Sequence, residues 1–413
     1  MLKKVELEKA QDIILNHVTV LPGESLPLLQ ALGRIVCEDI IAEHDLPPYA
    51  QAAMDGYAVP EGGGPYQVIE RLLPGEMPTA SLSSGQTVGV VTGGPLPDGV
   101  VAVVPQEATE LRGEYITFNK AIVPGSNIKP SGENFRKGDL LVRQGACLSP
   151  GMAGVLAAYG RNEVTVYRKP RVAILSLGPD IVSCRETPMP GQTRDSNGLH
   201  LAALVMQEQG QVISVEVAGT DNANQMGKRF QELLHCSDIL ITIGGAAYGV
   251  SDQAFPLIKQ SRAELLFWEI KIKPGSHSGA ASFGEKLVIS LSGNPAACAV
   301  GYHLLVAPVL RAMQNLKPYQ TRLSAVSDNV FLKKGGSRRF LLASVACEHL
   351  GWRVKILPGQ KSSMTKAFLR ECNALIDLPE GHPPVKKGEE LSVIILKSAY
   401  GEETIDEKDS QLI

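Results

Sequence analysis

Aromatic residues make up only 5% of the 413 residues, and no two of the 7 cysteines stand at CxxC spacing. Lys and Arg number 40 against 43 Asp and Glu, a net charge of −3. Each deficit excludes something. A chain this close to neutral has no general attraction for nucleic acid or an anionic membrane, so any anion it handles must meet a local site. Cys37, Cys147, Cys184, Cys236, Cys298, Cys347 and Cys372 are odd in number and scattered, which fits a reducing, cytoplasmic setting and offers no zinc knuckle. The first residues, MLKKVELEKAQDIILNHV, contain no continuous apolar run of the kind that marks a secretory leader or a membrane span. Neither GxxxxGK[ST] nor GxGxxG lies at a strand-to-helix turn, and GxSxG, EF-hand and two-histidine zinc patterns are missing.

What is present is 44% hydrophobic sequence, with 41 Gly and 27 Pro breaking it into short elements. Residues 1–44 read as helical: Val5, Ile13, Ile14 and Val18 share one face, and Leu26, Leu28, Leu29, Leu32 and Ile35 continue the spacing after Leu21-Pro22-Gly23. From 45 to 145 short β-branched runs such as TVGVVTGG and GVVAVVPQE predict a β-rich unit, and a helix is expected over 149–160. Residues 168–315 change rhythm. RVAILSLG, QVISVEVAG, SDILITIGG and KLVISLSG are continuous apolar runs alternating with helical patterns, the signature of a parallel sheet covered on both faces. Alternation in RRFLLASV, WRVKILPG and LSVIILK predicts a small terminal β-domain, followed by the acidic tail GEETIDEKDSQLI. No internal repeat is visible.

In open α/β sheets ligands sit beyond the carboxyl ends of the strands. Three loops fall there: Ser176-Leu177-Gly178-Pro179-Asp180, Gly244-Gly245-Ala246-Ala247-Tyr248-Gly249 with Ser251 and Asp252, and Ser292-Gly293-Asn294-Pro295. One glycine turn serves packing as readily as phosphate approach, but three on one sheet favour a phosphate-bearing ligand at the helix starts. Asn294 is a natural cap with Pro295 at the first helical position, and Asp195 or Ser196 would cap the helix from Asn197, with Arg194 placed to meet an anion. Lys273 stands at a strand end beside Pro274-Gly275. Asp55, Glu107, Asp180, Asp221 and Asp252 lie beside glycine turns or at strand ends, where carboxylates hold Mg²⁺ or simply close turns.

The string Ala53-Met54-Asp55-Gly56-Tyr57-Ala58-Val59, preceded by Asp45-Leu46-Pro47-Pro48-Tyr49, resembles the signature of the molybdopterin molybdenumtransferase family, enzymes related to the C-terminal domain of gephyrin. Similar stretches follow along the whole chain: VVTGGPLPDGVVAVVPQE, GSNIKPSGENFRKGD, RDSNGLHL, TIGGAAYGVSD, KIKPG, LSGNPAACAV and LIDLPEG. The resemblance implies a helical linking domain from 1–44 and 146–167, an inserted β-rich domain over 45–145, an α/β molybdopterin-binding domain over 168–319 and a C-terminal β-barrel over 320–400, ahead of the tail 401–413. It implies a cytoplasmic homodimer with its cleft between the α/β domain of one subunit and the inserted domain of the other. The reaction implied is insertion of molybdate into adenylylated molybdopterin with release of AMP and use of Mg²⁺. A molybdopterin adenylyltransferase and maturation factors of molybdoenzymes are the partners expected, with no role for nucleic acid or membrane.

Carried onto matching positions, the resemblance assigns catalytic roles to Asp55, Thr92, Glu107, Asp252 and Lys273. Cofactor contacts fall on Gly244, Gly245, Asp195, Asn197, Ser292, Asn294 and Pro295, and metal ligands on Asp180, Asp221 and Asp252. Several family positions are replaced. Asn134 stands for an acid, Thr220 for the first acid of an Asp-Asp pair and Glu269 for a lysine. Asp180 shortens a glutamate, Ala246 and Ala247 remove a hydroxyl, Ser276 and His277 replace Lys-Pro, and Ser292 replaces a proline. These losses leave two further expectations beside turnover: an impaired paralogue that binds molybdopterin and delivers or senses the cofactor, and a scaffold that binds partner peptides.

Overall fold

The structure is a computed structural model that describes residues 2–119, 121–219, 221–245, 253–333, 335–348, 351–358, 360 and 372–396. These residues form two compact units, one from Met1–Cys37, Gly145–Ser149 and Glu163–Ile413, the other from Glu38–Gln144 and Pro150–Asn162. The tail 401–413 lies outside the described residues.

The larger unit is built on a seven-stranded sheet in the order Leu2–Val5, Glu264–Ile270, Gly279–Phe283, Lys286–Leu291, Ile239–Ile243, Arg171–Ser176, Gln211–Val217. The last four strands run parallel, as their unbroken apolar sequences predict. The Gly279–Phe283 strand runs antiparallel to both neighbours. Its sequence, GAASF, is too short and small-residued to read as a strand beforehand; Gly279 is there because a Cβ would lie 2.3 Å from the Trp268 ring. Alternation along each parallel strand divides the core. Val172, Ile174, Ile239, Ile241 and Ile289 pack on one side, while Ala173, Leu175, Leu240 and Val288 pack on the other under the helices Ala223–Cys236 and Ala254–Gln260.

The first side also carries the run Pro295–Met313, which is long and apolar enough to cross a membrane but is 94% buried within this unit. It is a core helix. Its middle turn, Tyr302–Val306, widens to π geometry just ahead of Pro308, which has no N–H to return to Leu304. Phe340, Leu342, Leu375 and Ile394 of the C-terminal barrel join the same apolar cluster. That barrel closes in the order Arg322–Ser327, Gly351–Ile356, Arg339–Glu348, Ala374–Leu378, Glu390–Ile395. Phe340 and Leu342 face the α/β core, whereas Leu341, Ala343 and Val345 fill the barrel, so one strand serves two cores by alternation.

The helical reading of 1–44 is corrected. Leu7–Leu15 and the single turn Leu28–Ala31 are helical, but Leu2–Val5 is a strand parallel to Glu264–Ile270, and Gly23–Pro27 is a strand paired antiparallel with Glu163–Tyr167. Val5 therefore packs from a strand, and Leu29, counted as part of a helix stripe, is 82% exposed. The second unit holds the six-stranded sheet Ala102–Pro105, Gly56–Val59, Gln86–Val90, Tyr66–Arg71, Tyr115–Thr117, Glu110–Arg112 and the expected helix, Pro150–Ala158.

Candidate functional site

The three glycine-bearing loops of the α/β sheet converge. Leu177 N–H donates to Ile243 O at 2.8 Å and Gly244 N–H to Leu291 O at 2.9 Å, so each loop leaves its strand tied to the next. Gly244 has φ 79°, and a Cβ on it would stand 2.7 Å from Leu177 O; only glycine fits this crossing. Together with Pro274, Gly275, Ser276 and His277, and with Arg339, Phe340, Leu341 and Leu342 from the barrel, they enclose a cavity of about 630 Å³. That is the size of a site for a cofactor-sized small molecule.

The polar groups of the wall are already busy. Asp195, which is buried, accepts from Ser176 Oγ at 2.7 Å and from Gly198 N–H at 2.9 Å, so it caps the helix Asn197–Gln207 with its carboxylate. Ser196 occupies the cap position without a side-chain cap bond. Arg194 is exposed and its Nε donates to Glu186 O, which places it on the surface and leaves it no part in the cavity wall. Asn294 Oδ1 accepts from Ala296 N–H at 3.1 Å and Ala297 N–H at 3.3 Å, with Pro295 opening the helix as expected. Gln253 and Ala254 donate their N–H groups to Gly245 O. The first-turn N–H groups of Gly198, Ala296, Ala297, Gln253 and Ala254 are thus taken up by the protein's own oxygens. Asn197 Nδ2 donates to Gly293 O at 2.7 Å and Ser292 Oγ to His277 O at 3.0 Å, bracing the loops against each other. His277 Nδ1 lies 3.3 Å from Glu269 Oε1 at the rim.

In the other unit, Asp55 Oδ1 accepts from both Thr92 N–H at 2.7 Å and Thr92 Oγ1 at 2.8 Å. These bonds, the backbone one first, hold the exposed carboxyl below its ordinary value. Gln106 N–H donates to Asp55 O, which brings the exposed Glu107 next to the pair in a short 3₁₀ turn, Gln106–Ala108.

Residues 5–160 match the model of the MoeA N-terminal region (domain I and II), 173–312 that of a probable molybdopterin binding domain, and 325–396 that of the MoeA C-terminal region (domain IV). A molybdopterin molybdenumtransferase of Staphylococcus epidermidis is 30% identical over 408 residues, covering 96% of this chain and 97% of the relative. The chain belongs to the molybdopterin molybdenumtransferase family. A Staphylococcus aureus enzyme of the same name is 28% identical over 97% of this chain and 98% of its own. Among solved structures, a molybdopterin biosynthesis MoeA protein from Pyrococcus horikosii superposes with a TM-score of 0.85 at 28% identity, over 96% of this chain and all of that one. This transferase family member has its role in molybdenum cofactor biosynthesis.

Within this molybdenumtransferase, the positions carried over by resemblance do not all come together. Gly244, Gly245, Asp195, Asn197, Ser292, Asn294 and Asp180 wall the one cavity, and Pro295 starts the helix behind it. Asp55, Thr92 and Glu107 gather in the other unit. Lys273 is exposed and does not wall the cavity, though its backbone is stitched to the barrel: Lys273 N–H donates to Arg338 O and Phe340 N–H to Lys273 O. Asp221 is engaged elsewhere, accepting from Arg229 Nε at 3.0 Å while the same guanidinium holds Glu216. Asp252, Thr220, Ala246 and Ala247 lie outside the described residues. Among the described residues no three acids, histidines or cysteines group as a metal site. Of the three expected metal ligands, Asp221 is taken up by Arg229 and Asp252 lies outside the described residues, which leaves Asp180 alone at the cavity wall. Sequence reasoning missed Ser176 as the partner of Asp195 and missed Arg339 altogether.

Proposed function

We propose that this chain inserts molybdate into adenylylated molybdopterin with release of AMP, the single supporting observation being the cavity where three glycine loops of the molybdopterin-binding region meet the barrel. Its backbone-lined floor suits a flat, phosphate-bearing pterin, because Gly244, Gly245 and Gly293 present no side chains to block close approach. Asn197, Ser292 and Asn294 fix the loops by hydrogen bonds, so the protein contributes positioning and charge balance and needs no nucleophilic side chain. Asp55, held ionised by Thr92, is the acid of the second unit proposed to act on this reaction from a neighbouring subunit of a homodimer. Mg²⁺ use, a cytoplasmic setting and handover from an adenylyltransferase belong to the same proposal.

The test is AMP release by purified protein given adenylylated molybdopterin, molybdate and Mg²⁺, with the Staphylococcus epidermidis relative as positive control. AMP above background supports the proposal, and background-level AMP beside an active control overturns it. The occupied helix-start amides and the Arg229-bound Asp221 favour one second reading, a protein that binds and delivers molybdopterin without turnover. Pterin binding without AMP release would select it.

A further inference from the structure

Three positions at which this chain departs from the family pattern, Glu269 for a lysine and His277 and Ser292 each for a proline, touch one another in series. Glu269 Oε1 lies 3.3 Å from His277 Nδ1, and His277 O accepts from Ser292 Oγ at 3.0 Å. Replacements that meet in space act as a set. The backbone is shaped for the first contact. Phe267 and Ile270 enter one apolar core although they stand three residues apart, with Trp268 in the other, because Glu269 has φ 73° and breaks the alternation of its strand. A glutamate in the left-handed region is strained and must be held by its surroundings, here by Glu269 N–H donating to Ser278 O and Ile270 N–H to Ser276 O, each at 3.0 Å. Its side chain belongs to neither core and is 19% exposed, while that of His277 is 49% exposed and lines the cavity. Among the described residues the other ionisable members of that wall are Asp180, Asp195 and Arg339, with Asp195 already holding Ser176 and Gly198. Lys273 is exposed in the same loop as His277, and Lys271 is paired with Glu6.

We propose that His277, oriented by Glu269, is a catalytic proton acceptor for the water that releases AMP, with Ser292 as a positioning residue that fixes the His277 backbone. Nδ1 faces the carboxylate, which leaves Nε2 to the cavity and favours the imidazolium that forms once a proton is taken. A base held by a third group is the general form of such a site. The step balances. The water oxygen bonds to the adenylate phosphorus as the phosphoanhydride P–O bond breaks, and the electron pair of that bond leaves on the phosphate oxygen of molybdopterin. One water proton passes to His277 Nε2 and the other stays on the AMP phosphate; the half-exposed ring then returns its proton to solvent. The inference rests on the molybdate-insertion reading for its substrate, while the pairing of Glu269 with His277 is measured without turnover.

The experiment follows AMP release by the full-length chain from adenylylated molybdopterin and molybdate as a function of pH, for wild type, His277→Ala, Glu269→Gln, Ser292→Ala and the exposed control Arg112→Gln. Wild-type kcat is expected to rise with pH as the free base of the histidine forms. General-base catalysis contributes about a hundredfold or more, so His277→Ala should lose that much kcat at an unchanged KM for molybdate, and the rising limb should vanish. Added imidazole should restore part of the rate in proportion to its free base. Glu269→Gln should move the limb to lower pH, because a neutral amide no longer favours the imidazolium. Ser292→Ala should lower kcat less than His277→Ala and keep the limb, and Arg112→Gln should match wild type. A wild-type rate and pH profile in His277→Ala, or a lowered rate that imidazole does not raise, overturns the proposal and keeps the insertion reading. No AMP from wild type at any pH, beside an active Staphylococcus epidermidis relative, overturns both. Carbon-13 titration of the His277 ring, assigned by its loss in His277→Ala, needs no substrate: Glu269→Gln should lower its midpoint, and an unmoved midpoint overturns the pair. If His277→Ala fails to fold, the pH profile of Glu269→Gln decides, an unshifted limb overturning the proposal.

Discussion

Asp55 and Thr92 stand 37 residues apart, and one carboxylate oxygen receives both donors of the threonine. Since each bond stabilises the ionised form, removing one should move the carboxyl part of the way back to its ordinary 3.8. In Thr92→Val the hydroxyl goes and the backbone N–H stays. Carbon-13 NMR titration of the Asp55 side chain is expected to show a pKa between that of wild type and 3.8; an unshifted titration would mean that the hydroxyl bond contributes nothing. Asp55 was legible because the MDGYAV string marks it, and Thr92 because it lies in a second recognisable string. Their hydrogen bonds were not, since sequence spacing says nothing about which Asp oxygen a distant turn will meet. Arg339 shows the opposite limit. Nothing in the RRF string distinguishes its two arginines, and only the tertiary structure shows Arg338 held by Asp377 and Glu8 while Arg339 lines the cavity.

At the scale of elements, caps were legible and strand pairing was not. SGNP announces a helix start through local chemistry alone, and Asn294 does accept from Ala296 and Ala297. Asn294→Ala should lower unfolding free energy by about 1 kcal/mol, with Asn294→Asp near wild type, read as shifts of the chemical-denaturation midpoint at constant slope. A loss in the alanine variant indistinguishable from zero would show that the buried Pro295–Met313 helix is held by packing alone. The stretch GESLPLLQALG illustrates the failure. Its leucines satisfy a helical period, but Gly23–Pro27 pairs residue by residue with Glu163–Tyr167, some 140 positions away, and that ladder outweighs local propensity. The same non-locality hid the antiparallel Gly279–Phe283 strand, whose small residues carry no period and are selected by the Trp268 ring pressed against them.

At the scale of the molecule, the α/β rhythm and the terminal barrel were readable because continuous apolar runs and strict alternation are written in single elements; the fusion of their cores through Phe340 and Leu375 was not. That fused core buries titratable groups, which makes its stability depend on pH in a defined direction. His303, enclosed in the Pro295–Met313 helix with Nδ1 unpartnered, is pushed down to about 3 by burial and by the nearby His200. Its folded value lies below the ordinary 6.5, so the unfolded chain binds a proton that the folded chain refuses, and stability falls as pH drops from 6.5 toward 3. One such group contributes a slope of about 1.4 kcal/mol per pH unit. Asp377 acts in a lower window. Burial opposes its charge, but bonds from Arg338 and Arg322 outweigh burial and lower it below 3.8, so its contribution is present above 3.8 and is lost as pH falls through the folded value. Both tryptophans, Trp268 and Trp352, lie in this unit, so denaturant unfolding followed by their fluorescence reports it alone. Between pH 6 and 4.5, His303→Leu should show a shallower loss of stability than wild type by about 1 kcal/mol per unit, and Asp377→Asn should run parallel to wild type but about 3 kcal/mol lower. Toward pH 3 the Asp377→Asn curve should begin to approach wild type while the His303→Leu curve stays above it. Parallel curves for His303→Leu across the whole range would show that the histidine is already protonated in the folded core, and the acid sensitivity would then have to be sought outside the buried helix.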